Sequence, residues 1–292
     1  MMNALIFGAG GQDGFYMQQL CHELSIEPIG ISKFPAAGCI QGDVSDYAQV
    51  EGWIKHYRPA YLFHLAANST TNHQALFENH ANISTGTLNV LECVRQHSPG
   101  AIVFITGSGV QFRNVGQPIS EQDEFEARSA YAVARIQSVY AARYYRTLGV
   151  RAYVGYLFHH ESPRRTDDHV AKMISSAARR IARGSSEKIR LGDMSVRKEW
   201  AFAGDIVRGI FALVNQGNVF EATIGTGQAY SIQDWLEQCF RVVGKDWREH
   251  VDLEQAFTPE YHCLVSNPKT IRSLGWVPKM DFPGLASLMM GV

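Results

Sequence analysis

The sequence predicts an α/β protein: a doubly wound, parallel-sheet domain followed by a smaller C-terminal α/β lobe. Three observations carry this. Short apolar runs alternate with amphipathic stretches through residues 1–158, the rhythm of a parallel sheet with helices on both faces. A glycine-rich turn joins the first run to the first amphipathic stretch. Beyond Phe158 the rhythm changes to helical patterns separated by short strand-like pieces.

The elements follow in order. Leu5-Ile6-Phe7 is a buried strand that ends in the glycine cluster. Phe15, Met17, Leu20 and Leu24 fall near helical spacing and predict a helix over 12–24. Residues 28–31 read as a second strand, and Cys39-Ile40 begins a short third that ends at Gly42-Asp43. A helix over 46–57 has Asp46 as its N-cap. Residues 61–63 form a fourth strand, 79–97 a long helix, 101–105 a fifth strand, 129–148 a second long helix and 150–157 a sixth strand. In residues 159–292, helices are predicted over 170–182, 205–214, 232–242 and 268–274. The chain therefore divides into 1–158 and a mainly substrate-binding lobe, 159–292, with the last elements of the first domain free to interleave. No repeat, low-complexity tract or long linker separates them.

Composition excludes several classes. Apolar residues make up 46% and charged residues 19%, which suits a globular chain with a full core. A net charge of −1 gives no basic field for nucleic acid or an anionic membrane, so neither is an expected partner. Five scattered cysteines without a CxxC pair argue against a disulfide framework or zinc site, and for a reducing compartment. The first apolar stretch, 4–7, is too short for a signal peptide or a membrane span, and a cytoplasmic protein is expected. No histidine pair has metal-ligand spacing, so no metal is expected.

The turn reads Gly8-Ala9-Gly10-Gly11-Gln12-Asp13-Gly14, with Gly8, Gly11 and Gly14 at GxxGxxG spacing between a strand and a helix. Missing side chains let the backbone approach a pyrophosphate, and the helix start offers free N–H groups. This is the context of a Rossmann dinucleotide site. At the end of the second strand an acidic residue would hold the ribose of NAD, but here Ser32 and Lys33 follow Gly30-Ile31. A hydroxyl and a cation suit the 2′-phosphate of NADP, with NAD as the alternative. Asp43, with Val44 beside it, meets the adenine.

Tyr131 and Arg135 lie one helical turn apart, and Ser108 follows the fifth strand at the carboxyl edge of the sheet. A serine, a tyrosine and a cation beside a nicotinamide form a hydride-transfer site. The tyrosine exchanges a proton with a sugar hydroxyl, the serine orients that hydroxyl, and the cation favours the phenolate and binds the nicotinamide ribose, so Tyr131 and Arg135 both border the cofactor.

At this point the chain resembles the GDP-mannose 4,6-dehydratase family of extended short-chain dehydrogenases. The resemblance rests on Gly11-Gln12-Asp13-Gly14, Leu65-Ala66-Ala67, Tyr131-Ala132-Val133-Ala134, the block His160-Glu161-Ser162-Pro163-Arg164-Arg165, Leu191-Gly192 with Trp200 and Asp205, and Leu274-Gly275-Trp276 with Pro278-Lys279. It implies that Leu65, Ala66, Ala67, His160 and Arg165 touch the cofactor. It also implies that His159, Glu161, Arg164, Arg197 and Lys198 face a GDP-linked hexose. Lys172 and Arg179 share a helix face and either reach the diphosphate or are solvated. Trp200 reads as core, His64 as a structural histidine, and Asn82, Gly86 and Thr87 as close packing. The family reaction takes hydride from C4, removes water across C5 and C6, and returns hydride to C6.

Two departures bear on that chemistry. Val110 aligns with the family glutamate that serves the elimination, and Arg135 with the family lysine. The residues between the second and third strands, 32–38, are also fewer than in the family, where that arm helps build tetramers. A homodimer through the helices at 79–97 and 129–148 needs no such arm. Three functions stay open: the dehydratase reaction, a reductase-type hydride transfer without dehydration, and a nucleotide-binding protein without activity.

Overall fold

A computed structural model describes residues 2–254 and 259–292. The chain opens with β1 (Asn3–Phe7), α1 (Gln12–Glu23), β2 (Glu27–Ser32) and β3 (Cys39–Gln41). Next come α2 (Tyr47–Tyr57), whose N-cap Asp46 accepts from the Gln49 amide, and β4 (Tyr61–His64). The long helix expected over 79–97 starts earlier and is not uniform. It runs as α3 (Leu76–Asn79), a π-helical stretch (His80–Thr85) and α4 (Gly86–His97). Directly after the widened turn, a Cβ on Gly86 would lie 2.9 Å from the Val44 side chain and 3.2 Å from His64 Nε2, so the helix passes close over Val44 and the end of β4. Then follow β5 (Ile102–Ser108), α5 (Ala130–Thr147), capped by the Ser129 hydroxyl, and β6 (Arg151–Leu157).

The remainder holds β7 (His160–Glu161), α6 (Val170–Ala182), β8 (Ile189–Leu191), β9 (Arg197–Glu199), β10 (Ala201–Phe202) and α7 (Ala203–Val214). After these come β11 (Glu221–Ile224), β12 (Ala229–Ser231), α8 (Ile232–Val242), β13 (Val251–Leu253), β14 (Cys263–Leu264), α9 (Lys269–Ser273) and α10 (Phe282–Met290). The last helix has no counterpart in the sequence reading. Asp281 caps it by accepting from the Gly284 amide, and Pro283 sits in its first turn, where no N–H is needed.

Seven parallel strands form the main sheet in the order β3-β2-β1-β4-β5-β6-β11. The α/β, doubly wound class is thus observed. Strand order reverses between β1 and β4, and a crevice opens there beyond the carboxyl ends. One face of the sheet packs on α2, α4 and α5 through Val50, Ile54, Val90, Val139 and Ala142. The other packs on α1 and α7 through Met17, Leu20, Ile206 and Ile210. The chain therefore returns to the sheet after residue 159, with α7 on its face and β11 at its edge. Glu221, at the start of β11, is clamped by Arg143 and Arg146 of α5 and accepts from the Tyr156 hydroxyl at 2.6 Å.

A third core lies between α6, α8 and α10. Trp200 is buried there, as expected, stacked on Trp235 with centroids 4.6 Å apart. The C-terminal motif explains itself locally: Trp276 Nε1 donates to the Asp205 carbonyl at 3.0 Å, and the Asp205 carboxylate accepts from the Lys279 and Met280 amides. All five cysteines are free. Among the described residues, no helix is long and apolar enough to cross a membrane.

Candidate active site

Gly8 turns the chain out of β1 with φ +86°, a conformation that favours glycine, and a Cβ there would lie 2.7 Å from the Ala66 amide nitrogen. The glycine turn is thereby pressed against the exit of β4. The N-cap of α1 is Gly11, which has no capping side chain, so the first-turn N–H groups are left for a ligand. Positive φ, missing Cβ atoms and an uncapped helix start together fit a dinucleotide pyrophosphate.

A cavity of about 550 Å³ opens at this turn. Gly8, Gly11, Gln12, Asp13 and Gly14 line one wall, Ser108, Tyr131 and Arg135 a second, and His159, His160, Arg164, Arg165 and Lys198 a third. A side chamber of about 300 Å³ continues past Leu65, Ala66 and Ala67 to Ser32, Lys33, Asp43 and Val44. Most of the residues singled out in the sequence thus converge from distant segments. Four do not reach the lining, Arg179 of α6 among them. Glu161 is fully buried behind it. Lys172 is turned to the Pro163 carbonyl at 2.9 Å, and Arg197 to the Ala229 carbonyl at 2.7 Å across the β9–β12 pair, so backbone acceptors hold both cations outside the cavity.

Behind the third wall lies a network of charges. His160 Nδ1 meets the Phe158 carbonyl at 2.7 Å and Nε2 meets Asp13 Oδ1 at 2.9 Å. Both partners accept only, so the ring needs a proton on each nitrogen and is an imidazolium. Burial works against that charge, but Asp13 outweighs it and holds the imidazole above its ordinary range. Burial likewise opposes the Asp13 charge, while His160 and then Arg165 keep its carboxyl below the usual range. Ser162 Oγ donates to Gln12 Oε1 at 2.7 Å, a second tie between the glycine turn and the His160 segment. Arg165 donates to Glu161 at 3.1 Å and to the His160 carbonyl at 2.7 Å. His159 Nε2 lies 2.9 Å from Glu161 Oε1, a close contact too poorly aligned for a hydrogen bond. Burial, with Lys198 nearby, pushes His159 down to about 3. Burial also pushes the Lys198 ammonium, 5.0 Å from the Trp200 ring, down to about 8. The Arg164 guanidinium covers the Phe15 ring at 3.9 Å.

On the second wall, Tyr131 is 9% exposed and packs with Ile83, Ala134, Ala67 and Val110. Arg135 is 3% exposed. Its Nη1 donates to the Thr106 carbonyl at 2.6 Å, its guanidinium lies over the Tyr131 ring, and its Nε has no partner. His64, fully buried, is pushed down to about 3 by burial and then by Arg135, which keeps it neutral. Val110 lines the cavity as an apolar patch. The nearby acids do not compensate for it. Glu121 is bound to Thr223 and Thr270, Asp123 accepts from the Ser120 amide at 2.7 Å, and Glu124 faces Arg113. Among the described residues, the carboxylates in the cavity lining are Asp13 and Glu260.

Several lining residues escaped the sequence reading. His169, Glu260 and Tyr261 reach the cavity from loops of the second lobe, and Glu78 reaches the side chamber from α3. Burial pushes the Tyr261 hydroxyl up to about 12. No local pattern marks these positions, because only the packing of the lobe brings them to the sheet edge.

Comparison with known proteins agrees with this architecture. Residues 5–289 match the family described as GDP-mannose 4,6 dehydratase. The chain is 28% identical over 318 residues to GDP-mannose 4,6 dehydratase 1 of Arabidopsis thaliana, covering 98% of this chain and 88% of the relative. Its fold is similar to that of dTDP-glucose 4,6-dehydratase from Bacillus anthracis in complex with NAD, with TM-score 0.87, 16% identity and coverage of 100% and 96%. It is equally similar to RMD from Pseudomonas aeruginosa complexed with NADPH, with TM-score 0.87, 17% identity and coverage of 100% and 98%.

Proposed function

The chain belongs to the GDP-mannose 4,6-dehydratase family, and from that premise we propose that it moves hydride between a nicotinamide dinucleotide and the C4 carbon of a GDP-linked hexose. One observation carries the reading: Ser108 and Tyr131 line the same cavity as the uncapped glycine turn. A nicotinamide ring supplies the hydride acceptor and donor when the dinucleotide is bound. The rest is the work of this chain. Tyr131 takes the proton of the C4 hydroxyl at its phenolic oxygen and returns it in the reverse direction. Ser108 orients that hydroxyl. Arg135, behind the ring, places positive charge against the phenol. Arg164 and Lys198 meet the diphosphate from the opposite wall, and the apolar side chains of Val110 and Ala67 keep water from Tyr131.

Hydride transfer without dehydration has its own support. Elimination across C5 and C6 needs a group that moves a proton, and the position aligned with it is Val110. Reductase-type turnover of a 4-keto sugar needs only Tyr131, Ser108 and the cofactor.

The exposed side chains of α5, Val133 and Tyr144 among them, favour pairing of two copies through α4 and α5.

The test is to incubate the protein with GDP-mannose and oxidised dinucleotide, then with GDP-4-keto-6-deoxymannose and reduced dinucleotide. Products are followed by mass and by absorbance at 340 nm. Loss of water in the first mixture supports the dehydratase reaction, and oxidation of reduced cofactor only in the second supports the reductase reaction. Silence in both, with nucleotide still bound, overturns the enzymatic reading.

A further inference from the structure

The side chamber beyond Ala66 is where the adenosine half of a dinucleotide would lie, an assignment that rests on the reading above. Its charge is opposite to what a second phosphate requires. The ionisable side chains that line it are Lys33, Asp43 and Glu78, one cation against two carboxylates.

That cation is already engaged. Lys33 Nζ sits 2.9 Å from Asp43 Oδ2, with Asn82 Oδ1 at 3.5 Å. Asp43 is fixed in turn, because its Oδ1 accepts from the Ser45 amide at 2.9 Å and the Ser45 hydroxyl at 2.7 Å. Burial opposes its charge, but Ser45 and then Lys33 hold its carboxyl below the usual range, so the negative charge is permanent near neutral pH.

Ser32 is not free either. Its hydroxyl donates to the Phe34 carbonyl at 2.7 Å and packs so closely on the turn that a Cβ on Gly10 would lie 2.6 Å from it. The connection to β3 then runs through Phe34, Pro35 and two alanines without a second cation. The pairing of Ser32 and Lys33 expected to receive a 2′-phosphate is therefore committed to other partners.

A phosphate monoester carries about −1.5 to −2 charges at neutral pH. To bind here it would have to share Lys33 with a fixed carboxylate and sit beside that carboxylate, with Glu78 at the rim. A ribose hydroxyl is neutral and can donate to a carboxylate. We infer that the chain takes NAD in preference to NADP, with the Lys33–Asp43 pair as the specificity determinant.

The experiment is an equilibrium titration of the full chain with NADH and NADPH, read by the fluorescence of the bound nicotinamide and requiring no substrate. NADH is expected to bind about tenfold more tightly or better at low salt, with the gap narrowing as salt screens the carboxylates. Asp43→Asn frees Lys33 and removes one charge, and should shift the ratio toward NADPH by about tenfold. Glu78→Gln, at an exposed position, should shift it the same way by about twofold, and does not depend on Asp43→Asn folding. NADPH binding as tightly as NADH, or a ratio that neither substitution nor salt moves, overturns the inference while leaving the dinucleotide reading intact. Binding of neither cofactor overturns both.

Discussion

The guanidinium of Arg135 lies 5.0 Å from the centroid of the Tyr131 ring while its Nη1 donates to the Thr106 carbonyl at 2.6 Å. One side chain thus joins the face of the phenol to the end of β5, two residues before Ser108. Arg135→Met should leave that carbonyl unpaired, at a cost of about 1–3 kcal/mol in thermal unfolding. It should also lower turnover about a hundredfold by loosening Tyr131 and removing the charge behind it. Arg135→Lys keeps the charge and should recover at least tenfold of that loss. Equal damage from both variants would mean that the cation has no part in turnover.

Val110 faces the cavity beside Tyr131, so a carboxylate placed there would meet a bound sugar. Val110→Glu should raise the release of water from GDP-mannose at least tenfold, measured by product mass. No gain would mean that the elimination group of the family does not correspond to this wall.

Lys198 gives a pH dependence of known sign. Its folded value of about 8 lies below the ordinary 10.5. The ammonium is present below about 8 and lost above it, so the affinity for GDP should fall as pH rises through that value. Folding responds in the opposite direction. Between about 8 and 10.5 the unfolded chain binds the proton more readily, so this group adds stability as pH rises. Titration calorimetry with GDP across this range checks the first effect, and Lys198→Met should flatten it.

The Asp13–His160 pair has its own window. The imidazole is raised above 6.5, so its contribution is complete below that pH and is lost as pH rises through the folded value. Asp13 is lowered from 3.8, so its contribution is present above that pH and is lost on acidification. Thermal unfolding should show the wild type losing stability as pH rises above 6.5 and through the raised folded value, while His160→Gln stays flatter across the same interval. Parallel curves would remove the imidazolium from the account.

Val133 is 38% exposed and Tyr144 59% exposed on the outer side of α5. If two copies pair there, Val133→Glu with Tyr144→Glu should halve the mass measured by light scattering and leave the fold unchanged. A wild-type monomer would dismiss the pairing.

What could be read from the sequence depended on the distance over which each feature is decided. Asp46 caps its helix through a contact three residues away, and α6 and α8 have strong apolar stripes, so all three were legible. The convergence of the glycine turn, Ser108 and Tyr131 followed from the order of strands and helices. The π-helical turn was not legible, because it accompanies packing over Val44 and His64 and has no marker of its own. Lys33, Lys172 and Arg197 are cations by sequence, but Asp43, Pro163 and Ala229 decide what they bind. Glu260 and Tyr261 reach the cavity only because the second lobe folds back over the sheet.

The outermost strand has a consequence for synthesis. On the ribosome β6 is complete roughly sixty residues before β11 exists. For that interval a row of backbone donors and acceptors stands open on the nascent chain, while Arg143, Arg146 and Tyr156 wait for Glu221. Such a border invites pairing with another unfinished chain. A fragment cut at residue 158 would keep that border permanently and should precipitate where the whole chain does not.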